Sequence, residues 1–254
     1  MSEIWKTAWI IGASTGIGRQ LAIDLAADGV RVAISARSAD KLAELQERSD
    51  MLVSFPLDIG KQDALAAAYA DINRALGSVD LVVICAAMWH PMGAADFDVA
   101  KAKQSFDINV GGVHNVLGVV MPDFIARRHG HIGIVASVAG YRGLPQAAAY
   151  GSTKAALISL AESLYPDLAR YGVHISIINP GFVETPMTAG NEFPMPFIMT
   201  PQAASRRIVK GLRKRRFEIA FPWLFVRILK IARILPYSVY FWYIRNTVLK
   251  NGKN

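Results

Sequence analysis

Cysteine is almost absent: the 254 residues include one, Cys85. No internal disulfide can form, and the simplest expectation is a reducing, cytoplasmic setting. The start of the chain has no basic segment followed by a long apolar run; residues 1–6 lead directly into a short apolar stretch, so no secretory leader is expected. Near the C-terminus the longest uncharged runs are 219–226 and 234–244. Both fall short of the roughly 20 residues a membrane-spanning helix needs. Charged residues are few, at 19%, against 52% hydrophobic, a balance that excludes a disordered chain.

Acid is missing from one region only. Residues 205–254 hold 13 Lys/Arg against a single acid, Glu218, a net charge of +12. Residues 1–204 hold 15 Lys/Arg against 19 Asp/Glu, a net charge of −4. The overall +8 therefore belongs to the last fifth of the chain and says nothing about its main body. A basic segment of this kind invites an anionic membrane surface or nucleic acid as partner.

What is present is an alternation of short apolar runs with longer amphipathic ones. Segments 8–11, 30–35, 51–55, 81–85, 131–136, 173–178 and 217–220 read as strands, apolar at nearly every position, as parallel strands covered on both faces require. Segments 17–28, 40–47, 62–76, 99–129, 149–171 and 202–215 read as helices, with Gly29 and Gly172 at expected helix C-termini. The alternation implies an α/β fold: a Rossmann-like, doubly wound parallel sheet of about seven strands with helices on both faces. There is no internal repeat and no second core. Residues 1–221 form the expected domain, and 222–254 a basic, aromatic helical extension of it. In such sheets ligands bind beyond the carboxyl ends of the strands, where strand order reverses.

The first strand ends in Gly12-Ala13-Ser14-Thr15-Gly16-Ile17-Gly18, and a helix follows at once. Gly12 permits a tight turn, Gly16 lets backbone approach a pyrophosphate, and Gly18 lets the helix pack against the sheet. The helix N-terminus offers unpaired N–H groups to phosphate. The plainer alternative is a turn that needs glycine for geometry alone. The second strand ends Ser35-Ala36-Arg37, with no acid to accept bonds from a ribose 2′-hydroxyl. Arg37 suits a 2′-phosphate instead, so NADP(H) is expected over NAD(H), with Ser14 adding a hydroxyl. The alternative for Arg37 is a surface side chain paired with an acid.

Four further residues carry chemistry. Tyr150 and Lys154 are four apart on an expected helix and share a face. Ser137 ends a strand 13 residues before Tyr150, and Asn109 lies in the long helical stretch before that strand. Reduction of a carbonyl needs a proton on oxygen as well as a hydride on carbon. A free tyrosine has a pKa of about 10, and a neighbouring ammonium should lower it, making Tyr150 a general acid or base with Lys154 as its helper. Ser137 would hydrogen-bond the substrate oxygen. Taken singly, each has an ordinary structural explanation; the combination is the signal.

The GxxxGxG spacing followed by the Ser137, Tyr150 and Lys154 set resembles the short-chain dehydrogenase/reductase family, over residues 6 to about 221. The resemblance implies several roles. Lys154 would also hold the nicotinamide ribose, and Asn109 a water in a proton relay. Asp58 would meet the adenine amino group, with a helix N-cap near Lys61 as its alternative. Ala86 and Ala87 would pass the adenine ribose, and Pro180-Gly181, Val183 and Thr185 would form the nicotinamide-side loop. It also implies a homo-oligomer, expected here as a dimer, with a tetramer as the alternative. The chain departs from the family's Asn-Asn-Ala-Gly with Ile84-Cys85-Ala86-Ala87, which puts bracing of the central sheet in question, and it runs on past its seventh strand.

Loops expected near the nicotinamide are apolar: Met88, Trp89 and Met92, then Tyr141, Leu144 and Pro145, then Met187, Phe193, Met195, Phe197 and Met199. They point to a small hydrophobic, even lipid-like, carbonyl or alcohol as substrate, or else pack among themselves. In the tail, Arg227, Lys230 and Arg233 share about a third of a helix circumference among many apolar residues. The tail is read first as packing on its own domain or on a second subunit, and second as lying on an anionic membrane. Its aliphatic content makes nucleic acid the poorer match. The function expected is hydride transfer by an NADP-dependent enzyme. The alternatives are a catalytically silent NADP-binding sensor or scaffold, and a membrane-surface protein acting through its tail.

Overall fold

A computed structural model describes residues 5–191 and 193–248. Seven strands are described: β1 (Thr7–Ile11), β2 (Arg31–Ser35), β3 (Leu52–Ser54), β4 (Leu81–Ile84), β5 (His131–Val135), β6 (His174–Pro180) and β7 (Glu218–Phe221). They form one parallel sheet in the order β3-β2-β1-β4-β5-β6-β7. The order reverses between β1 and β4, so a crevice opens where these two strands end.

The helices are α1 (Gly16–Ala27), α2 (Ala39–Gln46), α3 (Gln62–Leu76), α4 (Val99–Phe106), α5 (Gly112–Arg127), α6 (Ala148–Ala169), α7 (Pro201–Arg213), α8 (Trp223–Ile234) and α9 (Tyr237–Tyr243). Alternate strand residues feed two cores. Trp9, Ile11, Val82 and Ile84 face α3, α5 and α6; Ala8, Ile10, Val83 and Ile178 face α1 and α7. Burying such side chains is worth about 1.5–3 kcal/mol each. A two-sided core therefore explains why the strands are apolar throughout. Trp9 reaches across β1 to stack on Tyr69 and donates its indole N–H to Ser35 at 2.9 Å.

One expectation changes here. The stretch 99–129 is not one helix: α4 and α5 are joined by a π-turn over Asp107–Gly111, and Asn109 sits within it. Val99–Arg127 taken together is long and apolar enough to cross a membrane, but Val113, Val116, Leu117, Val120 and Phe124 are buried against the sheet. Its apolar character is that of a core helix.

The described part of the tail has one side on the domain. Val226 and Leu229 of α8 enter the core beside α6. Arg142 donates to the carbonyls of Ala232, Arg233 and Leu235 at 2.8, 2.7 and 2.9 Å, and so satisfies the open C-terminal end of α8. The same guanidinium lies over the rings of Tyr237 and Tyr240, and the Tyr240 hydroxyl donates to the Gly143 carbonyl. Glu218, the tail region's single acid, accepts from Tyr141, Asn179 and Lys230.

Candidate active site

A cleft of about 260 Å³ opens beyond the carboxyl ends of β1 and β4. One end is the turn from β1 into α1. Gly12 is in the left-handed region at φ 88°, and a Cβ there would lie 2.5 Å from the Ala86 nitrogen. A Cβ on Gly18 would lie 2.3 Å from the Gly12 carbonyl oxygen. Only hydrogens fit at these two places, so the turn and the helix start are held against the end of β4. Ser14, Thr15, Gly16 and Ile17 line the cleft beside them. Thr15 occupies the N-cap of α1, yet its side chain makes no cap bond. The leading amides of α1 and this hydroxyl are thus available to an acceptor in the cleft.

Ala36, Arg37 and Ser38 line the same end, and no salt bridge among the described residues uses Arg37. The acid-paired alternative for this arginine is therefore not seen. Asp58 also lines the cleft. It is not the cap of α3, where Lys61 stands; its carboxylate accepts from the Gly60 amide at 3.0 Å and closes a short turn. Ala86 and Ala87 form the wall, and Pro180, Gly181, Val183 and Thr185 the far lip. Thr188 organises that lip: its hydroxyl donates to the Val183 carbonyl at 2.7 Å and accepts from the Thr185 amide at 3.1 Å. Sequence reading missed Thr188, although a threonine three residues after Thr185 fits a side-chain turn.

At the other end Ser137, Tyr150 and Lys154 come together. Ser137 follows β5 and accepts from the Ala139 amide at 3.1 Å, turning the chain sharply. Tyr150 and Lys154 share one face of α6. A Cβ on Gly140 would lie 2.7 Å from the Lys154 carbonyl carbon. This glycine, also missed from sequence, lets the Ser137 turn lie directly on α6. Lys154 is fully buried, and its ammonium donates to the Val135 carbonyl at 2.9 Å.

The electrostatics differ from expectation. Burial pushes the Tyr150 hydroxyl up to about 12; the Ser137 hydroxyl beside it works in the opposite direction. Lys154 does not lower it here, because its ammonium points to Val135, 5.4 Å from the centre of the tyrosine ring. Burial brings Lys154 itself down to about 8, and pushes the neighbouring Cys85 thiol up to about 12.

Asn109 is fully buried and does not line the cleft. Its side-chain oxygen accepts from the Met88 amide at 2.6 Å, while its amide donates to the Met88 carbonyl at 2.9 Å and to Thr153 at 3.1 Å. It clamps the loop after β4 to α6, one residue before Lys154. This clamp, with the Cys85 amide donating to the Ile11 carbonyl at 2.8 Å, supplies the bracing that the sequence departure at 84–87 had put in question.

Over the site stands Trp89, edge-on to Tyr150 with ring centroids 4.9 Å apart, its indole N–H donating to Asn191 at 3.0 Å. Met88 and Met187 line the cleft. Three other residues expected there turn inward. Met92 and Tyr141 are buried, the latter bonded to Glu218, and Met199 packs against the core on the α7 side. Among the described residues there is no cluster of His, Cys, Asp and Glu able to hold a metal ion.

The family model described as short chain dehydrogenase matches residues 6–193. An uncharacterized oxidoreductase of Myxococcus xanthus is 36% identical over 241 residues, covering 93% of this chain and 95% of the relative. A protein of a Sphingomonas species named 2-dehydro-3-deoxy-L-rhamnonate dehydrogenase (NAD(+)) is 33% identical over 72% of this chain and 74% of its own. Among solved structures, a short-chain dehydrogenase/reductase from Burkholderia phymatum in complex with NAD superposes with a TM-score of 0.82 at 23% identity, covering 91% of this chain and 94% of that one. A short-chain dehydrogenase from Streptomyces avermitilis gives 0.80 at 22%, covering 100% of both. By its fold, its matched family model and its relatives, this chain belongs to the short-chain dehydrogenase/reductase family of nicotinamide-dependent oxidoreductases.

Proposed function

We propose that the protein uses NADP(H) to interconvert a hydrophobic carbonyl compound and its alcohol. The observation that carries this reading is one cleft with an anion-accepting glycine turn and Arg37 at one end and Ser137, Tyr150 and Lys154 at the other. The cofactor supplies the hydride, to or from the substrate carbon. Gly12 to Gly18, Thr15 among them, would hold its pyrophosphate. Arg37, with no acid at 36 or 37, would take the 2′-phosphate, helped by Ser14. Asp58, Ala86 and Ala87 would border the adenosine, and Pro180, Gly181, Val183 and Thr185 the nicotinamide.

Tyr150, with its pKa near 12, carries its proton at neutral pH and can pass it to a carbonyl oxygen; in the reverse direction it would first release that proton through the relay, and the phenolate would then take the alcohol's proton. Ser137 steadies the oxygen on which charge develops. Lys154, near 8, is mostly charged at neutral pH and would hold the ribose hydroxyls. Asn109 acts from behind the wall, fixing Met88 and α6, and would leave backbone of the π-turn to order water for proton relay. Met88, Trp89 and Met187 give the reacting end an apolar surround, which favours a hydrophobic substrate. The expected assembly is a homodimer, to be checked by sedimentation velocity.

The deciding experiment is a fluorescence titration with NADPH and NADH on the unmodified chain and on Arg37→Ala. Tighter NADPH binding, lost selectively in the variant, supports the reading. Equal or tighter NADH binding overturns the choice of cofactor, and binding of neither overturns the whole.

A further inference from the structure

We propose that the outer face of α8 and α9 docks on an anionic lipid surface. α8 is apolar on both sides, which one buried face does not require. Its inner side is already satisfied: Val226 and Leu229 are in the core, Lys230 is paired with Glu218, and Arg142 closes the helix end. The outer side carries Trp223, Leu224, Ile228, Ile231 and Ile234, all exposed, Ile234 at 81%. At 100° per residue these fall on one continuous face about 140° wide. α9 continues it with Tyr237, Phe241 and Trp242, also exposed. An apolar face of this extent marks an interaction site.

Charge selects the occupant. Besides Lys230, which Glu218 pairs, residues 222–248 contain Arg227, Arg233 and Arg245 and no acid. Arg227 stands within the apolar face, its guanidinium over the Trp223 ring at 5.4 Å. A second copy would bring like charges together with no acid on either face to pair with them. Nucleic acid would meet the cations but leave the aliphatic side chains wet. An anionic bilayer accepts both, with Trp and Tyr at headgroup level and Ile below them.

The helix that carries the face also adjoins the cleft. Phe225, in the first turn of α8, packs on Phe182 and Phe197 with centroids 5.9 and 6.0 Å apart, and Phe182 belongs to the segment that carries the cleft's far lip. Docking would then present the mouth of the cleft to lipid; this last step rests on the proposed function, while the docking does not.

The test is flotation of the full chain with vesicles of phosphatidylcholine alone and with roughly one third phosphatidylserine, at low and high salt. Binding is expected to the anionic vesicles and to weaken with salt. Ile231→Asp and Ile234→Asp should each reduce it at least about tenfold with no fall in melting temperature, since neither side chain packs in the core. No flotation of folded protein at low salt overturns the proposal. So does a dimer that Ile231→Asp splits into monomers without vesicle binding, which would assign the face to a second copy. NADPH binding is measured on the same samples, so failure of docking and failure of the cofactor reading are told apart.

Discussion

Trp89 meets Tyr150 edge to face at 4.9 Å and is itself tied to Asn191. The indole thus links the residue proposed to hold the reacting proton to a loop on the opposite side of the cleft mouth. Trp89→Phe keeps a ring against the tyrosine and removes the tie. A hydrogen bond of this kind is worth about 1 kcal/mol, so KM for a bulky ketone should rise about fivefold with kcat little changed. Asn191→Ala should match it in steady-state assays. A large loss of kcat in both variants would show that the tie serves chemistry rather than binding.

Tyr150→Phe should lower turnover by at least about a hundredfold while leaving NADPH binding intact, because the ring is kept and the proton is lost. Single-turnover reduction monitored at the cofactor absorbance checks it. Full activity would remove Tyr150 from the role assigned to it.

Lys154 makes an opposite prediction about stability. Its folded pKa is near 8, below the ordinary 10.5. Below pH 8 the group is charged in both states but buried in one, which disfavours folding by up to about 3 kcal/mol. The penalty fades as pH rises from 8 to 10.5. Lys154→Met should therefore be inactive yet unfold at a higher temperature at pH 7 without cofactor, with the gain shrinking towards pH 10. A less stable variant at pH 7 would refute this.

His131 should govern stability on the acid side. Ser176 gives its hydrogen to the Arg216 carbonyl, so its oxygen accepts from His131 Nε2 at 2.8 Å. The other ring nitrogen is buried and has no partner among the described residues. Burial, with the nearby His174 and Arg215 charges, lowers its pKa to about 3. The unfolded chain takes up the proton first, near 6.5, so this contribution is complete above pH 6.5 and falls by about 1.4 kcal/mol per unit below it, down to pH 3. Denaturant titrations at pH 7 and 5 on the wild type and on His131→Gln should show a steeper loss in the wild type.

Arg142→Ala should free the tail before it affects the rest. It removes three carbonyl bonds and two ring contacts from α8 and α9. A local loss of about 2 kcal/mol corresponds to about 30-fold faster trypsin cleavage at Arg227, Lys230 and Arg233, with the β1–β7 domain surviving as a fragment. Unchanged cleavage would mean that Val226 and Leu229 alone hold the helix.

All seven strands were legible because parallel strands under two layers of helices must be apolar at each step. The glycine turn and the Ser137, Tyr150 and Lys154 set were legible because the chemistry fixes both residue type and spacing. The π-turn was not: one extra residue in a turn leaves the apolar face of 99–127 looking continuous. The direction of loop side chains was not legible either. Met92, Tyr141 and Met199 read like Met88 and Met187, since a loop has no period that separates inside from outside. The Asn109 clamp joins residues 21 and 44 positions apart and has no local signature.

The Asn109 clamp divides the loop after β4 into two parts with different freedom. Up to Met88 the backbone is fastened to the same helix that carries Tyr150 and Lys154, so a change of length there would shift the reacting groups themselves. Beyond Met88, Trp89 packs on Tyr150, and Met92 fastens the loop again, its amide donating to the Gln146 carbonyl and its carbonyl accepting from the Ala148 amide at the start of α6; the freer stretch is 93–97. Descendants of this sequence can therefore acquire new substrates by rewriting residues 93–97 while inheriting the proposed proton-transfer groups unaltered.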